Sequence, residues 1–254
     1  MKTAAVVTVT KGRKELEKCL IAVSHQLYHA THYVLCDGED DADLAQFYDM
    51  TKDYAEFGAK WCYWGSSIGG NGWLGQRWLA AAPQLVTEDV TFFCNDDDWF
   101  EPHHVSSIMR KIEEGYDWAH SLRKIVDKDG KFLFNDNCEA LGENHHAWNM
   151  EGHHFVDWCM WGMKTDKLRQ IAILLNNKDL AVDRYFYNAA KQLFPNFTST
   201  NLHTFNFRLG GGCGVQKEFF EQGNAWILKK FDNKLPWIRT WEQFVGFLVE
   251  LQAQ

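Results

Sequence analysis

The sequence predicts a single α/β domain built on a mostly parallel, doubly wound sheet with helices on its faces. Three observations carry this. Strand-like and helix-like stretches alternate through the first hundred residues, the pattern that builds a parallel sheet. At 254 residues, 46% hydrophobic and 24% charged, the chain can bury one large core. Four prolines and no low-complexity run leave no compositional sign of disorder.

The elements follow in order. "AAVVTVT" (4–10) is a short β-branched run, after which Leu16, Cys19, Leu20, Val23 and Leu27 recur at helical spacing. "THYVLCDGEDD" reads as a second strand entering an acidic glycine turn; the helical "ADLAQFYDMTKDYAEFG" and a third strand, "KWCYW", come next. The glycine-rich "GSSIGGNG" precedes "WLGQRWLAAA", a helix that should stop near Pro83, and "VTFFCN" is the fourth strand. Pro102 can open a helix with Val105, Ile108, Met109 and Ile112 on one side and Gly115 as its stop. "WAHSLRKIV" and "KFLF" make a hairpin around Asp127 to Gly130. Residues 135–154 are polar, aromatic and His-rich with weak periodicity, which predicts a long substrate-facing loop.

"FFCNDDDWFEP" (92–102) places three aspartates directly after the fourth strand. Adjacent like charges repel, and a buried unpaired carboxylate is costly, so Asp96, Asp97 and Asp98 call for a counter-charge. A hard cation such as Mg²⁺ or Mn²⁺ supplies one, taking one or two carboxylates together with phosphate oxygens of a substrate. The plainer reading is a solvated turn that caps the following helix. Ligands of open α/β sheets bind at the carboxyl ends of strands, and this position favours the ligand-binding reading.

"FFCNDDDWFEP" resembles the apolar strand and DxD segment of GT-A glycosyltransferases, particularly family 2. "VVTVTKGRKELEKCLIAVSHQ" resembles that family's opening strand and helix, "YVLCDGEDD" its second-strand acidic turn, and "NGWLGQRWLAAA" its Arg-bearing helix. "LAVDRYFYNAAKQL" resembles the segment that carries the catalytic acid. The resemblance implies an inverting, metal-dependent enzyme with a nucleotide-sugar donor, most often a UDP-sugar. It implies base and ribose contacts at Thr8, Thr10 and Asp37, and diphosphate contacts at Arg13 and Arg77. Asn95 falls where the first DxD aspartate stands, with Asp96 as a further donor contact. Asp97 and Asp98 become metal ligands, with His203 as candidate third ligand, although Gly210 occupies the family's late histidine position. Asp183 becomes the catalytic base. The sequence departs from the pattern at "VTKGR", which lacks the usual proline, and at Val182, which replaces the acid often found before the base. No QxxRW occurs, which disfavours a processive polysaccharide synthase.

Among twelve tryptophans, Trp73, Trp99, Trp158 and Trp161 are the ones to examine for sugar stacking. Trp99, Trp158, Trp161, His153 and His154 are candidates to face the acceptor. The pairs His103/His104, His145/His146 and His153/His154 have no zinc-site spacing, and adjacent histidines do not readily share one ion. Seven cysteines, an odd number with no CxxC pair, suggest reduced thiols and a cytoplasmic setting. No run of eighteen apolar residues occurs, and the N-terminus has no secretory h-region. A formal charge of -8 argues against a broad nucleic-acid-binding face.

The C-terminal "PWIRTWEQFVGFLVELQAQ" gathers Trp237, Trp241, Phe244, Val245, Leu248 and Leu251 on one helical face. Its polar face lacks the basic density of a lipid binder, so it is expected to dock on the domain or on a second subunit of a homo-oligomer. The organisation expected is a nucleotide-sugar-binding half (1–100), an acceptor-binding and catalytic half of the same domain (101–214), and a C-terminal helical extension (215–254). The functional expectation is transfer of a sugar to an acceptor hydroxyl on a saccharide, lipid-linked sugar, protein or hydroxylated DNA base. The alternatives are a nucleotidyltransferase, for which no phosphate-cradling glycine loop follows strand one, and a non-catalytic nucleotide- or sugar-binding module, which Asn95 and Val182 favour.

Overall fold

The computed structural model describes residues 1–38, 41–64, 66–70, 72–144, 154–210 and 215–238. The alternating first part holds β1 (Ala4–Thr10), α1 (Leu16–Ser24), β2 (Ala30–Cys36), α2 (Asp41–Asp53), β3 (Lys60–Tyr63), α3 (Gln76–Ala81) and β4 (Val90–Phe93). β1, β2, β3 and β4 pair in parallel, and the side chains of Ala4 to Val7 are buried, as expected of a strand covered on both faces. Leu16, Cys19, Leu20 and Val23 bury the inner stripe of α1. Leu27 is not part of that stripe and stands 69% exposed. The helix ends at Ser24, and the chain then turns away, with the Leu27 N–H donating to the Pro102 carbonyl at 2.8 Å.

The second part adds β5 (Trp99–Phe100), α4 (His104–Glu113), β6 (Trp118–Val126), β7 (Phe132–Asn135), β8 (Trp161–Lys164), α5 (Thr165–Ile171), α6 (Val182–Leu193), β9 (Phe197–Arg208) and α7 (Lys217–Lys230). Val105, Ile108, Met109 and Ile112 form the buried face of α4, and Gly115, at φ 112°, follows its end in a backbone conformation that glycine tolerates best. β6 and β7 form the expected hairpin.

Among the described residues the nine strands join one sheet in the order β3-β2-β1-β4-β8-β6-β9-β5, with β7 on β6. β8 is antiparallel to both β4 and β6, and β9 is parallel to β6. β1 to β4, β6 and β9 therefore share one direction, against β5, β7 and β8. The sheet runs on across residue 100, so strands from both parts of the chain share it. β9 is bulged against β6: His120 pairs with Ser199, Leu122 with His203 and Arg123 with Phe205. Asn201, at φ 54°, lies in the surplus stretch.

The start of the expected loop at 135–154 is packed, not solvated. Asp136, Cys138, Ala140 and Leu141 are buried, and residues 145–153 lie outside the described residues. α7 sets Phe220 against Phe134 and Phe207. Trp237 is buried, while the rest of the expected C-terminal apolar face, from Trp241 on, lies outside the described residues. Among the described residues no helix is long and apolar enough to cross a membrane.

Candidate active site

A cleft of about 560 Å³ opens at the carboxyl ends of β1, β2 and β4 and is closed on its far side by β6, β9 and the first turn of α6. From the expected set it gathers Thr10, Arg13, Asp37, Asn95, Asp96, Asp97, Asp98, Trp158 and Asp183. The topology explains the gathering, since the first three parallel strands to pair end together and the next residues of each turn must share one edge.

Asp37, directly after β2, is a buried carboxylate. It is 2% exposed. Its Oδ1 accepts the N–H groups of Ile68 at 2.8 Å and Gly69 at 3.0 Å and the Trp78 indole at 2.9 Å, and its Oδ2 accepts Ser67 Oγ at 3.2 Å. Asp37 thus folds the glycine-rich loop against the cleft. Gly69 fits only without a side chain, since a Cβ there would lie 2.8 Å from both Asp37 Oδ2 and Gly75 Cα.

The three consecutive aspartates have three different environments. Asp96 Oδ2 accepts Thr10 Oγ1 at 2.8 Å, and Arg13 Nη1 lies 3.6 Å from Oδ1. Burial pushes the Asp96 pKa up to about 6, against the opposing pull of Arg13 and Thr10. Asp97 pairs with Arg13 at 3.0 Å. Asp98 is buried, its Oδ2 accepting Asn95 Nδ2 and its Oδ1 the Arg208 N–H, each at 2.9 Å. Burial, and then the neighbouring Asp97 charge, push Asp98 well above the usual carboxylate range. The counter-charge inferred from the sequence is present in part as Arg13, and Asp98 is occupied by internal donors.

Asp183 stands in the first turn of α6, its Oδ1 accepting the Arg184 N–H at 2.8 Å with Arg184 Nη1 at 3.5 Å. Burial pushes its pKa up to about 6, with Arg184 pulling the other way. The cleft also holds residues not singled out in the sequence: Arg123, Glu139, Asp157 and Arg184. Buried Arg123 reaches Asp136 at 2.7 Å, Glu139 at 2.9 Å and Asp157 at 3.3 Å. Arg184 continues the chain to Glu139 at 3.5 Å. An arginine inside the apolar strand "WAHSLRKIV" was the signal available, because a buried guanidinium needs carboxylate partners.

The other candidates lie away from the cleft lining. Thr8 is buried, with Oγ1 2.9 Å from His32 Nε2. Arg77 stacks over Trp73 at 3.9 Å, so these two are partners of each other. Trp99 carries the Lys18 ammonium over its ring at 3.3 Å. Trp161 is a core residue, 4.8 Å from Trp118 and 4.9 Å from Phe186 between ring centroids. His203 pairs across the sheet with Leu122, and burial pushes its pKa down to about 4. His154 Nδ1 lies 2.9 Å from the Gly142 carbonyl; His153 is outside the described residues.

No known family model matches the sequence, and no curated protein does. Solved structures do. A crystal structure of TarS from S. aureus superposes with a TM-score of 0.61 at 13% identity, over 93% of this chain and 44% of that one. TarS 1–349 in complex with UDP gives 0.59 at 16% identity, over 92% and 66%. TarS 1–349 in complex with UDP-GlcNAc gives 0.61 at 15% identity, over 90% and 67%. The chain thus spans less than half of the longest of these three. Strand order, the cleft at the strand ends and this superposition agree: the chain has the GT-A fold, shared with S. aureus TarS.

Proposed function

We propose that the protein is a glycosyltransferase that moves a sugar from a nucleotide-sugar donor, a UDP-sugar, to an acceptor hydroxyl with inversion. The observation that carries this is the meeting of Asp183 with Thr10, Arg13, Asp96 and Asp97 in one cleft, in a fold whose solved relatives were crystallised with UDP and UDP-GlcNAc.

The donor's nucleotide is assigned to the side of the cleft built by Thr10 and the Asp37-anchored glycine loop, and its diphosphate to the Arg13 side, where a guanidinium offers paired donors to phosphate. Among the described residues no three His, Cys, Asp or Glu side chains converge on one metal position. The donor set still fits a hard cation of the kind held by one or two carboxylates and substrate phosphates. Asp97 would hold it, since Asp98 has both oxygens engaged and Asp96 is committed to Thr10. Mg²⁺ or Mn²⁺, when bound, offsets negative charge on the leaving diphosphate. Asp183 accepts the proton of the acceptor hydroxyl as that oxygen attacks the anomeric carbon, so one displacement suffices and no covalent sugar–enzyme intermediate is needed. A pKa near 6 leaves Asp183 ionised at neutral pH and more basic than an ordinary aspartate.

The test is a screen of nucleotide sugars with and without Mn²⁺ or Mg²⁺, reading nucleoside diphosphate release and thermal stabilisation. Release of pyrophosphate would identify a nucleotidyltransferase, and stabilisation without donor consumption a binding module.

A further inference from the structure

The two sides of the cleft differ in how their cations are held, not in the sign of their charge: the donor side also carries Asp37, Asp96, Asp97 and Asp98, but Arg13 there keeps a side chain 45% exposed beside Asp96 and Asp97. Lys11 and Arg13 line the donor side with the glycine loop. On the opposite side Glu139, Asp157 and Asp183, with the fully buried Asp136 behind them, surround two guanidiniums, Arg123 and Arg184, whose side chains are only 4% and 31% exposed and are already engaged. Arg123 has three carboxylate partners within 3.3 Å. Arg184 lies 3.5 Å from each of Glu139 and Asp183. An incoming phosphate would have to break one of these pairs, and Arg123, unlike Arg13, is buried with three carboxylates around it. Burial and mutual repulsion leave their mark, with Asp183 and Glu139 both held above the usual carboxylate range.

Ionised carboxylates only accept hydrogen bonds, so a ligand for this end must bring donors. Asp157 is fixed for that task. Its Oδ1 accepts the Cys159 N–H at 3.0 Å and its Oδ2 lies at a long 3.3 Å from Arg123, which leaves accepting capacity on the wall it shares with Asp183. Trp158, next in the chain, lines the same wall with a half-buried indole whose Nε1 points to Asn95 Oδ1 at 3.5 Å. An aromatic face beside hydroxyl-accepting carboxylates suits the apolar face and polar edge of a sugar ring.

We propose that the acceptor is an uncharged saccharide, its hydroxyls held by Asp157 beside Asp183 and its ring lying on Trp158. Phosphorylated sugars and nucleic acids are excluded by the same charges. The proposal rests on the glycosyltransferase reading and narrows it to one acceptor class.

The test is saturation-transfer NMR on the full chain in the presence of UDP, with three probes: neutral methyl hexosides, their 6-phosphate esters, and a single-stranded oligonucleotide carrying a hydroxymethylated base. A neutral hexoside should bind at least about tenfold more tightly than its phosphate ester. Asp157→Asn, which keeps the shape and the cap to Cys159, and Trp158→Ala should each weaken it about tenfold while UDP affinity stays within about twofold. Equal or tighter binding of the phosphate ester or the oligonucleotide, no binding of any neutral hexoside, or unchanged hexoside affinity in Asp157→Asn would overturn the assignment. A separate UDP-sugar titration tells the two readings apart: absence of donor binding overturns the glycosyltransferase reading, whereas normal donor binding with a preference for phosphate overturns the acceptor class alone.

Discussion

Asp98 Oδ1 accepts the backbone N–H of Arg208 at 2.9 Å, tying the turn after β4 to the end of β9 across 110 residues of sequence. With Oδ2 taken by Asn95, the side chain is a clamp between the two walls of the cleft. Asp98→Ala removes the clamp and leaves two donors unpaired, each worth about 1–3 kcal/mol when buried. A loss of about 3 kcal/mol in urea unfolding is expected. A variant as stable as the parent would return Asp98 to the set of free ligands.

Asp97→Asn should abolish metal-dependent donor binding with little effect on stability. It removes one charge from the place where a cation's oxygen ligands are wanted and breaks only a partly exposed pair with Arg13. Calorimetry of donor binding with and without Mn²⁺ checks this, and an unchanged Mn²⁺ effect would sink the assignment.

Asp183→Asn should lower kcat by about 10²-fold or more and leave donor affinity intact, because an amide keeps the shape but is a poor proton acceptor. In the parent protein kcat/KM should fall tenfold per pH unit below about 6, the value to which burial raises Asp183, and level off above it. A flat profile down to pH 5 would remove Asp183 as the titrating base.

The same raised pKa makes the stability of the protein depend on pH. The folded value, about 6, lies above the ordinary 3.8. The contribution of Asp183 to stability is therefore fully present below about pH 4 and is lost as pH rises through 6. Asp183→Asn should gain about 2 kcal/mol on the parent between pH 4 and pH 7. Parallel stability curves for the two proteins would count against that pKa.

Asp37→Ala should unfold the loop at residues 66–75 and destabilise the protein by about 3 kcal/mol, losing nucleotide affinity as a consequence. Asp37→Asn, which can keep the acceptor for Ile68, Gly69 and Trp78, should be milder. Hydrogen exchange at the Ile68 and Gly69 amides checks the mechanism, and protected amides in Asp37→Ala would refute it.

What was legible in the sequence was periodic or punctuated. The stripe of α1, the α4 stripe up to Gly115 and the alternation of β1 to β4 each follow from local patterns, and these place the strand ends where Thr10, Asp96 and Asp97 meet. The illegible parts depend on partners distant in sequence. Nothing local says that Asp37 will be closed over by Ser67 to Gly69, or that Trp161 will face Trp118 and not solvent. Four-residue β8 was missed because "WGMK" has too little pattern to distinguish a strand from a turn, and its antiparallel direction is set by the strands on either side. Asp157 was missed because a lone aspartate before an aromatic carries no pattern; only its contact with Arg123 shows its place.

The bulge of β9 against β6 makes one stretch of the chain intolerant of changes in length. After it, Arg123 pairs with Phe205, Ile125 with Phe207 and Val126 with Arg208, so Phe207 shares a face with Arg123, whose guanidinium lies 4.7 Å from its ring. Side chains alternate along a strand, and moving the pairing by one position turns every later residue over. Losing any one residue between Ser199 and Thr204 would rotate Phe207 out from under Arg123 and withdraw the Arg208 N–H from Asp98. A point substitution there changes one side chain, whereas a single-codon deletion rearranges the far wall of the cleft. In a library of one-residue deletions this short surplus segment should behave as core, although its sequence, "STNLHT", reads as a loop.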